Sequence, residues 1–222
     1  MPIPSLQISS RFSELGLEPK LGCLSAKVQV APATPAIKLA LNEMMQDVAR
    51  ELGEAPAQSR AQIAATRKAY KSLGKDPARY RPSAEALTRR ALQGKDLYSI
   101  SNVVDCVNLT SLTTGHSIGA YDLDRVVGDI TFDRGGEDQD YLAIGRGPFN
   151  IANLPVFYDS QGPFGSPTSD SERTKITDNT ETVLMVLIAF GPEPDLSDAT
   201  KLAQSLLEDH CDGRDIESWI VP

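Results

Sequence analysis

Thr182-Val183-Leu184-Met185-Val186-Leu187-Ile188-Ala189-Phe190-Gly191-Pro192 is the stretch on which the fold of this chain turns. Eight apolar residues, Val183 to Phe190, stand in a row between a polar threonine and a Gly-Pro stop. A half-exposed strand would alternate, so the run predicts a central strand covered on both faces. It is far short of the ~20 residues that cross a bilayer. Downstream, the pattern predicts a last helix from about Asp198 to His210, starting after Pro194 and ending at Gly213. Upstream, Gly165 to Lys175 is a polar loop. Before it come short strands at Asp129–Asp133, Tyr141–Ile144 and Val156–Tyr158, separated by turns at Arg134-Gly-Gly-Glu137 and Asp159-Ser-Gln-Gly162.

The first half reads differently. Leu24-Ser-Ala-Lys-Val-Gln-Val30 alternates with period two, as a half-buried strand does. Thr34-Pro35 places a capping hydroxyl before a proline that needs no N–H at the first helical position. Ile37, Leu41, Met44, Met45, Val48 and Leu52 then recur at helical spacing up to Gly53. A second helix is expected over about Gln58 to Leu73, stopped by Gly74. A third is expected from a Ser83 cap to Gln93, closed by Gly94. Val103 to Leu109 is a short apolar run, and Thr110 to Ser117 is rich in hydroxyls. This order predicts one α+β domain over residues 1–222, a mixed sheet packed with helices: a helical segment 1–65 completes the fold, and 191–222 ends it as a helix.

The 222 residues carry a formal net charge of −8, are 41% hydrophobic and 23% charged, and hold three cysteines. Cys23, Cys106 and Cys211 are odd in number and far apart, which argues against a disulfide framework and a cysteine-only zinc site. No basic region followed by an apolar one opens the chain, so a cytoplasmic protein without membrane attachment is expected. The acidity alone speaks against nucleic acid. The distribution qualifies this. From Arg60 to Lys95, ten basic residues face only Asp76 and Glu85, giving this stretch +8 and the remainder −16. Arg67, Lys68, Lys71, Arg89 and Arg90 are candidate phosphate contacts, with Arg67 and Lys71 one helical turn apart. The competing reading is that they form the solvated faces of two helices.

From Thr66 to Phe190 the chain resembles the B3/B4 domain of the bacterial phenylalanyl-tRNA synthetase beta subunit, in the form of freestanding proteins built from that domain alone. The blocks that carry the resemblance are, in order, Arg67 with Leu73-Gly-Lys-Asp-Pro77; Arg81-Pro-Ser83-Ala-Glu85-Ala-Leu87-Thr-Arg89-Arg90; Asn102-Val-Val-Asp105-Cys-Val-Asn108-Leu-Thr-Ser111; Ile118-Gly119-Ala120-Tyr121-Asp122; and Ser169-Asp170-Ser171-Glu-Arg173-Thr174. The resemblance implies a domain that binds the acceptor end of tRNA and removes a wrongly attached amino acid, because a phenylalanine pocket rejects an added hydroxyl only weakly. A full beta subunit is several times longer, so the resemblance does not extend to a complete phenylalanine-tRNA ligase. Three positions depart from the synthetase pattern. Val107 stands where a threonine is usual, Gly119 where a pocket histidine is usual, and Val186 where a glutamate would meet tyrosine's hydroxyl. The departures imply an amino acid other than tyrosine, or none.

The expected chemistry is ester hydrolysis by positioning: the ester and a water are held in register while donors meet the developing oxyanion. Asn108 and His116 are the candidate catalytic residues. Asn108, Ser111, Ser169, Asp170, Ser171 and Arg173 are the candidate substrate contacts: Asp170 for an ammonium, Arg173 for the terminal ribose or phosphate. Ser-Asp-Ser is also the composition of an ordinary turn. A triad of Ser111, His116 and Asp122 can be drawn, but no nucleophile elbow supports it. Gly145-Arg-Gly147 reads as a turn. With only His116 and His210, no metal site is expected, and no cofactor. The expected partner is the tRNA acceptor end or its aminoacyl group, not DNA or a membrane. The alternatives are a non-catalytic binder of a free amino acid or related metabolite, and a protein-interaction module.

Overall fold

The computed structural model describes residues 3–191 and 196–222. The apolar run forms β9 (Thr182–Ala189), flanked on one side by β2 (Lys20–Lys27) and on the other by β3 (Ser117–Asp122). With β10 (Arg214–Val221) outside β2, these make a four-stranded antiparallel sheet in the order β10-β2-β9-β3. Odd and even side chains of β9 enter two different cores. Val183, Met185 and Leu187 pack with Leu24 and Ala26 against α2 (Pro35–Leu52), α5 (Asn102–Thr114) and α6 (Leu196–Cys211). Leu184, Val186 and Ile188 meet Leu21, Cys23 and Tyr121 on the other face, under Phe132, Phe157 and Phe164 of a second sheet. A strand with both faces filled in this way is stabilised by ~1.5–3 kcal/mol per large apolar side chain, which is why its sequence does not alternate.

The second sheet runs β1-β4-β7-β8, from Leu6–Ile8, Ile130–Arg134, Pro155–Asp159 and Gly162–Gly165. β1 lies parallel to β4 and the other pairs are antiparallel, so this sheet is mixed. A short helix, α1 (Arg11–Glu14), buries Phe12 against it. The hairpin β5–β6 (Asp140–Ala143, Gly147–Asn150) stands apart, and turns at Gly145 with φ +68°. The molecule is therefore α+β, with helices on one face of the antiparallel sheet and the mixed sheet on the other.

Local chemistry explains most boundaries. Thr34 accepts from the Ile37 N–H at 3.4 Å and Pro35 opens α2. Ser101 caps α5 by accepting from Val104 N–H at 3.3 Å, and Gly115 closes it in the left-handed conformation at φ +78°.

Four expectations are corrected. The strand expected over Leu24–Val30 lies at Lys20–Lys27 and is buried on both faces, because β9 draws it into the centre of the sheet. The helix expected from Gln58 begins at Ala61 as α3 (Ala61–Ser72). Arg60 before it is extended, and its guanidinium bonds the Leu112 and Thr113 carbonyls at the end of α5. Ser83 is the first residue of α4 (Ser83–Leu92) and not its cap. Pro82 holds the cap position, and the Ser83 N–H bonds the Pro167 carbonyl at 2.7 Å. The C-terminal segment is not a helix alone but continues into β10, whose bulge between Arg214 and Glu217 obscures its alternation. The expected helix start after Pro194 lies outside the described residues. Cys106 and Cys211 meet as free, buried thiols at 3.7 Å. No helix is long and apolar enough to cross a membrane, among the described residues.

Candidate functional site

The loop Ser166–Arg173 is tied to its neighbours at both ends. The Ser83 N–H of α4 donates to the Pro167 carbonyl, and the Thr168 hydroxyl contacts Tyr70 of α3 at 2.9 Å and the Tyr80 carbonyl at 3.2 Å. Bridges join Asp170 to Gly165 of β8 and Ser171 to Ala143 of β5. The Ser169 carbonyl accepts from the Tyr141 and Ser166 hydroxyls. The buried Ser171 hydroxyl accepts from the Arg173 N–H at 3.1 Å. Arg173 is engaged in a fork with Asp159, at 2.8 and 2.9 Å, with further bonds to the Gly162 and Arg125 carbonyls. Burial alone would raise the Asp159 pKa. The Arg173 fork and the Val127 and Gln161 N–H groups outweigh it and hold that carboxylate below its ordinary value.

Asp170 is the unusual group. The residue is half-buried, but its Oδ1 is shielded from solvent and has no hydrogen-bond partner. Burial pushes its carboxyl up to about 7, against the lowering influence of Tyr121 and of the Ala120 and Ser166 backbone. Tyr121, on β3, points its hydroxyl toward this carboxyl without a well-formed bond, and its own pKa is raised by burial first and by the Asp170 charge next.

The Tyr121 ring also settles what lies over Gly119. A Cβ on Gly119 would stand 2.0 Å from the Tyr121 hydroxyl oxygen, and one on Gly165 2.2 Å from the same atom. Two glycines thus form a cradle for one phenol, which fills the space where a side chain at position 119 would project. We expect Gly119→Ala to destabilise the fold by about 1–3 kcal/mol through overpacking. The same change costs less in a Tyr121→Leu background, and equal costs in a double-mutant cycle of urea unfolding would contradict the cradle. Tyr121→Phe relieves it only in part, because the ring carbon Cζ would remain 2.5 Å from the new Cβ.

The remaining candidates are distributed. Asn108 is half-buried on α5, and its amide makes no hydrogen bond among the described residues. The Ser111 hydroxyl donates to the His116 carbonyl at 2.7 Å. His116 is 3% exposed, with Nδ1 unpartnered, and lines a cavity of about 120 Å³ with Gln62, Ala65, Ala189 and Phe190. Burial and the Arg60 charge lower its pKa, so its imidazole is neutral at pH 7. Asp122 is engaged by the Thr180 hydroxyl and Arg125, so Ser111, His116 and Asp122 do not form a relay. No group of three potential ligands could hold a metal ion, among the described residues.

Of the basic candidates, Lys68 and Lys71 are exposed on α3. Arg90 bonds the Asp96 carbonyl and lies over the Tyr98 ring. Arg67 bonds the Glu85 carboxylate at 2.7 Å, and Arg81 and Arg89 approach the same carboxylate. The roles of Glu85, Arg81 and Tyr121 escape a reading of the sequence. Only the i,i+4 spacing of Arg81, Glu85 and Arg89 signals part of this arrangement in advance.

A family model described as the B3/4 domain matches residues 65–211. Among solved structures, the chain is similar to a crystal structure of an N-terminal fragment of the phenylalanyl-tRNA synthetase beta subunit from Pyrococcus horikoshii, with a TM-score of 0.54 and 12% identity. That match covers 98% of this chain and 54% of the fragment, so the chain spans about half of the fragment's length. A search of curated proteins returned no match.

Proposed function

Since the chain belongs to the B3/4 domain family, we propose that it acts on tRNA, holding the acceptor end and hydrolysing a mischarged aminoacyl ester in trans. The observation that carries this reading is the bond from Ser83 to Pro167, which joins the first turn of the basic helix α4 to the serine-rich loop. The candidate phosphate contacts Arg89 and Arg90 and the candidate amino-acid contacts Ser169, Asp170 and Ser171 thereby lie on connected elements within residues 65–211. In this reading Asp170 receives the ammonium of the amino acid on its unpartnered oxygen, and the cation offsets the burial that pushes the carboxyl up to about 7. The free Asn108 amide donates to the oxyanion that develops during hydrolysis. His116, with Nδ1 buried and unpartnered, is the proposed acceptor of the water's proton. Ser111, Ser169, Ser171 and Arg173 are held in place by the bonds they already make.

A second reading, a non-catalytic binder of a free amino acid, is favoured by the Tyr121 phenol filling the space over Gly119 and by the wholly buried Val186. A panel of misacylated tRNAs separates the two. We expect at least one member to be deacylated faster with protein than without. Asn108→Ala should then lower that rate by about 10²–10³-fold with an unchanged circular-dichroism spectrum. If no member is accelerated and filter binding detects no tRNA at low salt, the tRNA reading fails. Calorimetry with free amino acids then tests the second.

A further inference from the structure

Glu85 is surrounded by more positive charge than it neutralises. Its side chain is 1% exposed, and Oε2 accepts from Arg67 Nη1 at 2.7 Å. Its other oxygen, Oε1, lies 3.9 Å from Arg81 Nε and 3.6 Å from Arg89 Nη1, beyond hydrogen-bond length. Arg81 Nε and Glu85 Oε1 are both shielded from solvent and unpartnered. Neither outer guanidinium makes a hydrogen bond among the described residues, yet their side chains are 41% and 45% exposed. Three cations therefore share one carboxylate, and two of them turn unused donors outward. Arg90, next in the chain, differs: its guanidinium is engaged with the Asp96 carbonyl.

We propose that Arg81 and Arg89 together hold one phosphate group of an RNA backbone, with Glu85 as the buried post that keeps the two guanidiniums at the right separation. The spacing explains the assignment. Arg89 lies one helical turn after Glu85 on α4, while Arg81 precedes the Pro82 cap and reaches the same oxygen from before the helix, so the two guanidiniums flank the carboxylate. A phosphodiester supplies two anionic oxygens, one for each planar fork, and relieves the repulsion among the three cations. Arg67, engaged with Glu85 and 21% exposed, is structural in this arrangement and not a phosphate contact. The proposal rests on the tRNA reading for the source of the phosphate, while the anion site stands on the geometry alone.

Two measurements keep these apart. In the first, filter binding of bulk tRNA is followed against salt for the wild type, Arg81→Met, Arg89→Met and the double variant. Because the pair shares one phosphate, each single change weakens binding by about three- to tenfold and the double variant loses little more. The slope of log K against log salt falls by only about 0.7–0.9, the share of one phosphate and not of two. Lys38→Met on α2 leaves affinity unchanged. In the second, inorganic phosphate is titrated into ¹⁵N-labelled protein and the arginine Nε–H resonances are read. The Arg81 and Arg89 signals, identified by their loss in the variants, shift while that of Arg50 does not.

A phosphate response without tRNA binding keeps the anion site and overturns its RNA source, together with the tRNA reading. Binding of tRNA that the double variant leaves intact, with resonances unmoved by phosphate, overturns the proposal and leaves the tRNA reading standing. Independent, additive losses at the two arginines overturn the shared phosphate.

Discussion

Glu85→Ala lowers the stability of the fold by about 3–5 kcal/mol, the range expected when one partner of a buried ion pair is removed. Arg67 would be left with its stem in the protein and no carboxylate within reach, beside two further guanidiniums that had been held by the same group. The loss exceeds that of Arg67→Met, because in the latter Arg81 and Arg89 remain 3.9 and 3.6 Å from the carboxylate and compensate it in part. Urea unfolding measures both, read as a fall in the midpoint at constant m-value. A loss below about 1 kcal/mol for Glu85→Ala would place the pair among surface contacts of little worth.

The second large effect is a pH dependence that a single substitution removes. Burial raises the Asp170 carboxyl from 3.8 to about 7 in the folded chain. The folded state therefore binds this proton more tightly than the unfolded state, and protonation favours folding. The stability this contributes is fully present below about pH 4 and is lost as the pH rises through about 7. A shift of some three units corresponds to roughly 4 kcal/mol. Asp170→Asn, which cannot ionise, should be more stable than the wild type by about 2–4 kcal/mol at pH 8, with the gap closing as the pH falls toward 4. Tyr121 and Tyr141 beside it do not interfere, since burial first and foremost raises both above that window. Unfolding curves at several pH values check the prediction, and a constant gap across the range would remove Asp170 as its source.

Sequence patterns reveal structure where the cause is local. The unbroken run from Val183 to Phe190 announces a strand with cover on both sides, and Thr34-Pro35 with Gly53 brackets α2, because each feature acts within a few residues of itself. β1, at three residues, is too short to carry a period. β10 is mostly exposed and interrupted by a bulge, so neither burial nor alternation marks it. The same distinction holds for the candidate site. The blocks around Asn108 and Ser169-Asp170-Ser171 stand out in sequence, and the family match includes both. The cradle of Gly119 and Gly165 around Tyr121 does not, since it joins residues more than forty positions apart. Nor does the capture of Glu85 by Arg67 from a different helix. Which polar groups are already occupied, as Arg173 is by Asp159, emerges only from three-dimensional geometry.

The antiparallel sheet sets an order of events during folding. β2 is made well before its central partner β9, which follows about 160 residues later, and β10 covers its other edge later still. An apolar strand thus waits, while the residues between are made, with no neighbour to hydrogen-bond. Contacts between such distant segments pay the largest loop-closure entropy, and domains dominated by them fold in milliseconds to seconds. The nascent chain consequently spends that interval with an uncovered edge, the period in which chaperones have the most to do.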